Sequence, residues 1–223
     1  MNDVYAPAPS PAFRLIPSRF PPIGLFDTLA TAADLEPVME LAGWTNDRLV
    51  SARINRLPRD EWVDGRANAS IIMAAFLHVG PGGMRFNTAD LGAWYAAATL
   101  TTAMAEVAHH LRREAVACGI ATAHRTYRRY TSVLAGSYLD IRGQQSARAA
   151  VYDPTSFAAS QALGEVVRAS GGAGILYDGL RHARGVAVVA YRTRNILAVT
   201  QTDHFEISVQ AAANRIEVRK LTA

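Results

Sequence analysis

"GMRFNTADLGAWYAAATLTTAMAEVAHH" occupies residues 83–110 and sets Arg85, the pair Trp94–Tyr95 and then Glu106 into a segment otherwise rich in Ala, Thr, Met and Val. "GAWYAAA" (92–98) is short and apolar and reads as a buried strand. From Thr101 or Thr102 as N-cap the spacing predicts a helix to about Ala117, because Met104, Val107, Ala108, Leu111 and Ala115 recur on one stripe. "PGG" (81–83) is a turn. A strand–helix unit needs an apolar face and a cap; nothing in that job requires Arg85, Tyr95 and Glu106 together.

Glu106 stands one position before Val107, about 100° from the centre of the stripe, so it borders the buried face. His110 follows at i+4 on the same side. As an exposed pair the two would add only about 0.2–0.5 kcal/mol to the helix. Arg85 alone reads as a surface or ion-paired arginine, and Tyr95 alone as a core aromatic with its hydroxyl at the edge. In combination they supply a planar guanidinium for phosphates, an aromatic face for a flat ring, and a carboxylate for a ribose hydroxyl and a developing cation. Those are the groups that cleavage of the glycosidic bond of NAD requires. Spacing alone does not select that reading.

Outward from this stretch, the pattern is α+β with a strand-rich second half. Residues 1–12 are Pro- and Ala-rich and read as a flexible lead-in, and residues 13–223 read as one domain with an N-terminal helical elaboration over about 28–80. "ATAADLEPVMELAG" (30–43) is a short helix ended by Gly43, and 45–65 is polar connecting structure. "ASIIMAAFLH" (69–78) is ambiguous by period, while its length and Ala/Met content favour helix. Strand-like runs follow at 126–141, a helix closed by glycines at 156–172, and strands at 173–178, 185–192, 204–210 and 214–221.

The chain has 223 residues, half of them apolar, and a formal charge of +4. Lys220 is the sole lysine, so the other 22 of the 23 basic residues are arginines. Arg suits a bidentate grip on phosphate or carboxylate, although codon bias gives the same excess without function and is the larger share of the explanation. "HRTYRRY" (124–130) interleaves basic and aromatic residues as a nucleic-acid surface can, yet its alternation fits one solvated strand face, and direct nucleic-acid binding ranks last. The N-terminus lacks a secretory pattern and no apolar run is long enough to span a bilayer, so a cytoplasmic location and no membrane partner are expected. Cys118, the single cysteine, permits no intramolecular disulfide or cysteine metal cluster, and its Ala-rich surroundings predict a small buried residue. His109–His110 without HExxH does not make a zinc site, so no metal is expected. GxSxG, GxGxxG and GxxxxGK[ST] are absent.

Seven segments, "FRLIPSRFPPIGLFD" (13–27), "TNDRL" (45–49), "IIMAAFLH" (71–78), "RFN" (85–87), "WYAAATLTTAMAEVAHH" (94–110), "SQALGEVVRASGGAGILYDGLR" (160–181) and "VAVVAYR" (186–192), come in an order and spacing that resemble the RES-domain family. Members are toxins of bacterial RES/Xre-type toxin–antitoxin pairs. The resemblance implies an ADP-ribosyltransferase-like core of short mixed or antiparallel sheets flanked by helices. It further implies consumption of NAD as substrate by hydrolysis, phosphorolysis or transfer of ADP-ribose to a protein target. The implied partner is a cognate helical, Xre-like antitoxin in a hetero-oligomer.

By the same resemblance the family arginine matches Arg85, the tyrosine Tyr95 and the glutamate Glu106, while His110 stands where a histidine is frequent in the related branch. The N-terminal family arginine matches Arg14, which follows an aromatic, with Arg19 as second candidate. One position departs: where the branch reads Tyr-Asp-Ser-Val-Arg this chain has "YDGLR", so Gly179 replaces the serine. A backbone amide, Asp178 or water would then substitute for the hydroxyl, at a cost of roughly 0.5–1.5 kcal/mol for one neutral hydrogen bond. The competing expectation is a degenerate RES fold that binds a nucleotide or a partner with little turnover.

Overall fold

The computed structural model describes residues 3–18 and 54–222. The expected helix at 30–43, "TNDRL" and Arg19 lie outside the described residues. Within them, β1 (Tyr5–Pro7), β2 (Ala12–Pro17), α1 (Ala69–Leu77), β3 (Trp94–Ala97), α2 (Leu100–Ala117), β4 (Thr122–Leu134), β5 (Ser137–Asp140), α3 (Ala158–Ala169), β6 (Gly174–Asp178), β7 (Val186–Ala190), β8 (Ile196–Gln210) and β9 (Ile216–Leu221) follow in order. The class is α+β, as expected.

The strands form one nine-stranded sheet in the order β1-β5-β6-β7-β3-β2-β4-β8-β9. All neighbours are antiparallel except β5 and β6, whose connection carries α3, as a parallel pair requires a crossover. The expected short sheets are thus joined into one, but weakly at one place. β2 and β3 pair only at Phe13–Ala97, whereas β3 and β7 pair along four positions. Beyond that single pair the two strands diverge, and the sheet opens into a cleft.

Strand alternation assigns the two faces. Trp94 and Ala96 point into a core with Ile72 and Phe76 of α1, Leu176 and Val188. Tyr95 packs on the opposite core, with Phe86, Ile175, Tyr177 and Val189. Beside that core, Ala103, Ala108 and Leu111 of α2 pack on Leu15, Tyr127, Phe205 and Ile207. Covered on both sides, β3 is a near-continuous apolar run.

α2 begins earlier than the sequence suggests. Its N-cap is Thr99, whose hydroxyl accepts from the Thr102 amide at 3.2 Å, and Thr102 is a fully buried residue of the first turn. Three further expectations are corrected. Tyr5–Pro7 of the lead-in form a strand on β5, tolerable for Pro7 because an edge strand has no obligatory donor on its outer side, and Ala12 is fully buried. Cys118 caps the C-terminus of α2 and is exposed, because the helix ends as it leaves the sheet. The solvated face read into 124–130 fails at Arg128, which is 6% exposed beside a register shift between Arg128 and Tyr130. No helix among the described residues is long and apolar enough to cross a membrane.

Candidate active site

A cavity of about 270 Å³ opens where β2 and β3 part. Phe13, Arg14 and Leu15 line it from β2, Tyr95–Ala97 from β3, and Glu106, His109, His110 and Arg113 from α2. Arg85, Phe157, Tyr177 and Arg181 also stand in the wall. Arg14, Arg85, Tyr95, Glu106 and His110 therefore meet at one place.

Arg85 is delivered by a tight turn. Gly83 adopts φ +69°, where a side chain would collide with the Asn87 and Thr88 backbone, and Met84 N donates to Asn87 O at 2.9 Å. Three side chains secure that turn. The Tyr95 hydroxyl accepts from Phe86 N at 3.0 Å and donates to Asn87 Oδ1 at 2.7 Å. Tyr191 Oη donates to Phe86 O at 2.7 Å, and Gln161 of α3 donates to Gly82 O and Met84 O. "RFN" and "WY" are thus two halves of one hydrogen-bonded device.

The guanidinium of Arg85 stacks 4.7 Å over the Phe157 ring while Nη1 donates to the carbonyls of Val151 and Asp153 at 3.2 and 2.9 Å. Arg14 crosses the cleft in the same manner, over the Trp94 ring at 4.7 Å and donating to Tyr95 O at 2.9 Å. Its buried Nε meets no partner among the described residues. Burial pushes the Arg14 guanidinium down to about 10, which leaves it cationic at neutral pH, and lowers Arg85 as well, with repulsion from Arg181 adding to the effect. A carbonyl neutralises no charge, so both cations remain available to an anion.

Glu106 faces them. Burial raises its pKa above the ordinary 4.5, against the charge and backbone of Arg181 and the Arg85 charge, all of which favour the carboxylate. Tyr95 is pushed upward by burial, and its hydroxyl is already committed, so it offers a ring and not a proton. His109 is half-buried and held at about 4 by desolvation and then by Arg181, His110, Arg113 and Arg112, so it is neutral under ordinary conditions. His110 stands exposed at the rim.

Asp178 and Gly179 do not reach the wall. The Asp178 carboxylate accepts from Gly143 N at 2.8 Å and sits 3.4 Å from the Tyr152 hydroxyl, because β6 ends there and turns its side chain toward the 141–152 loop. Gly179 donates its amide to Gly185 O at 2.7 Å and closes the loop between β6 and β7. That loop brings in Arg181, which the sequence reading passed over although it ends the same "YDGLR" run. Among the described residues no group of three or more His, Cys, Asp or Glu could hold a metal ion.

A sheet parted at its centre, with cations and one carboxylate in the opening, is a candidate small-molecule site. The RES domain family matches residues 52–210, and the chain belongs to it. One solved structure similar to it is the M. tuberculosis MbcT–MbcA toxin–antitoxin complex, at 20% identity and TM-score 0.40, over 55% of this chain and 73% of that one. A search of curated proteins gives no match.

Proposed function

We propose that this RES-domain protein is the NAD-consuming toxin of a toxin–antitoxin pair and cleaves the nicotinamide–ribose bond of NAD in the β2/β3 cleft. One observation carries the reading: a half-buried carboxylate, Glu106, shares a cavity with Arg14 and Arg85, whose charges are anchored by carbonyls and aromatic rings. At about 270 Å³ the cavity lies near the small end of ligand sites, sufficient for the nicotinamide-ribose half, with the remainder of the dinucleotide extending past the rim.

Arg85 and Arg14 bind the pyrophosphate, and the nicotinamide lies against the Tyr95 ring. Glu106 accepts from the ribose 2′-hydroxyl and stabilises the oxocarbenium-like transition state, its effect enlarged by exclusion of water. As the C1′–N bond breaks, its electron pair returns to the pyridinium nitrogen and nicotinamide leaves neutral, so no strong general acid is needed. Water, phosphate or a protein side chain then attacks C1′. A helical, Xre-like antitoxin as partner in a hetero-oligomer belongs to the same reading and rests on the family.

The alternative of a binding module without turnover is favoured by Gly179 alone. A Cβ there would meet Thr102 Cγ2 at 3.3 Å and Gly185 O at 3.4 Å, so a serine fits after a shift of a few tenths of an ångström. Purified protein incubated with NAD, with and without phosphate, should release nicotinamide, and Gly179→Ser should change the rate by no more than about tenfold, the value of one neutral hydrogen bond. No release by wild type together with strong release by Gly179→Ser establishes the binding module. No release by either removes the NAD reading.

A further inference from the structure

The loop over residues 179–185 is docked on the first turn of α2 at a single side chain. His182 Nδ1 lies 2.9 Å from Thr102 Oγ1, which lies 2.8 Å from Thr99 Oγ1, the helix cap. Both ends of the loop press on the same threonine: a Cβ at Gly185 would sit 2.9 Å from Thr102 Oγ1 and Cγ2, and one at Gly179 would sit 3.3 Å from Cγ2. Thr102 is fully buried and fixed by the cap, so it is a rigid post.

Thr102 and Glu106 are four apart, stacked on one face of α2. The residue before His182 is Arg181, which lines the cavity together with Glu106 and favours its carboxylate form. Of two adjacent loop residues, His182 thus holds one turn of the helix and Arg181 stands in the cavity beside the next. Rotation of the loop about Thr102 would carry Arg181 away from Glu106.

We propose that His182 is a positioning residue: through Thr102 and the Thr99 cap it fixes the 179–185 loop so that Arg181 stays in the cavity wall beside Glu106. The proposal rests on the NAD reading for its effect on turnover but not for its effect on Glu106. The groups facing that carboxylate are Arg181 from the loop, Arg85 from the 83–87 turn, Tyr177 from β6 and His110 from α2 itself. With Arg181 released, Glu106 keeps its burial and loses the largest influence favouring its charged form, so it titrates at higher pH.

The test uses the full chain and follows the Glu106 carboxyl carbon by NMR through a pH titration, beside nicotinamide release. His182→Ala should raise the Glu106 midpoint and lower kcat about tenfold with little change in KM, the scale of one lost hydrogen bond. Thr102→Val, which preserves the packing shape and removes the hydroxyl, should do the same, and His182→Asn, with a polar atom at the Nδ1 position, should restore both. An unmoved Glu106 midpoint in folded His182→Ala or Thr102→Val overturns the proposal, as does failure of Asn to restore what Ala loses. If wild type releases no nicotinamide the NAD reading falls, and the titration still decides the role of His182.

Discussion

Arginines of this chain stand both in the wall of the β2/β3 cleft and on the long ribbon of β4, β8 and β9, and the two sets meet different partners. On the ribbon four cations find carboxylates, Arg125 with Glu114 at 2.7 Å, Arg129 with Asp203 at 3.0 Å, Arg219 with Glu206 at 2.9 Å and Lys220 with Asp203 at 2.7 Å, while the buried Arg128 has no ion pair among the described residues. In the cleft, Arg14 and Arg85 meet carbonyls and aromatic faces and form no ion pair among the described residues. A carboxylate cancels a guanidinium's charge and occupies its fork. A carbonyl orients the fork and leaves the charge. Residue type is therefore uninformative by itself here, and for these arginines partner type combined with place in the cavity wall marks the charges left open to an anion.

The largest test of that contrast removes the one carboxylate of the cleft. Glu106→Gln should lower nicotinamide release by about 10²–10³-fold, as loss of one preorganised charge at the reacting centre does. The same substitution should raise Tm at neutral pH. Burial raises the Glu106 pKa in the fold, so the folded state binds a proton more readily than the unfolded one and the charged form costs stability above the unfolded value near 4.5. That cost disappears as pH falls through the raised pKa, so the melting advantage of Glu106→Gln should shrink on acidification while wild-type turnover fades over the same range. A variant that lost activity and stability together would show Glu106 to be paired structure, like the carboxylates of the ribbon.

An intermediate test changes the shape of the cation and not its charge. Arg85→Lys cannot donate to the Val151 and Asp153 carbonyls, stack on Phe157 and meet a phosphate at once, since an ammonium lacks the planar fork. The KM for NAD should rise about tenfold, the value of roughly one charge-assisted hydrogen bond. Unchanged KM would mean that Arg85 serves only to fasten the 151–157 segment to the turn at 83–87.

How much of this contrast the sequence contains follows from which contacts are local. α2 was legible because its stripe at 104, 107, 108, 111 and 115 repeats with the helical period, and Glu106 beside it could be placed at the edge of the buried face. The cap was misplaced because 99, 101 and 102 are all threonines and only the fold decides which hydroxyl meets an amide. β8 was read as 204–210, half its true length, because residues 197–203 are mostly exposed on a ribbon and carry no apolar alternation. Arg181 escaped notice since its value lies in reaching Glu106 from a different element. Asp178 looked like a site residue for the converse reason: it stands next to the loop that matters, and strand alternation points it away. The Arg14–Tyr95 bond across the cleft depends on where two strands separate, which no local pattern encodes.

The smallest expected effect belongs to the ribbon. Arg125 meets Glu114 of α2 through two nearly parallel bonds, Nη1 to Oε2 at 2.9 Å and Nη2 to Oε1 at 2.7 Å, a geometry at the strong end for a pair open to solvent. The carboxylate is half exposed, so water takes over much of the interaction when it is broken, and Arg125→Ala should cost no more than about 1 kcal/mol. Nicotinamide release should be unchanged at moderate salt, because exposed charges farther apart than about 10 Å are screened. Measuring Arg125→Ala at low and moderate ionic strength completes the comparison: a fall in turnover confined to low salt would show the ribbon cations steering NAD toward the cleft. A fall at both would show the two sets of arginines to be one electrostatic unit, and the division drawn from their partners would not stand.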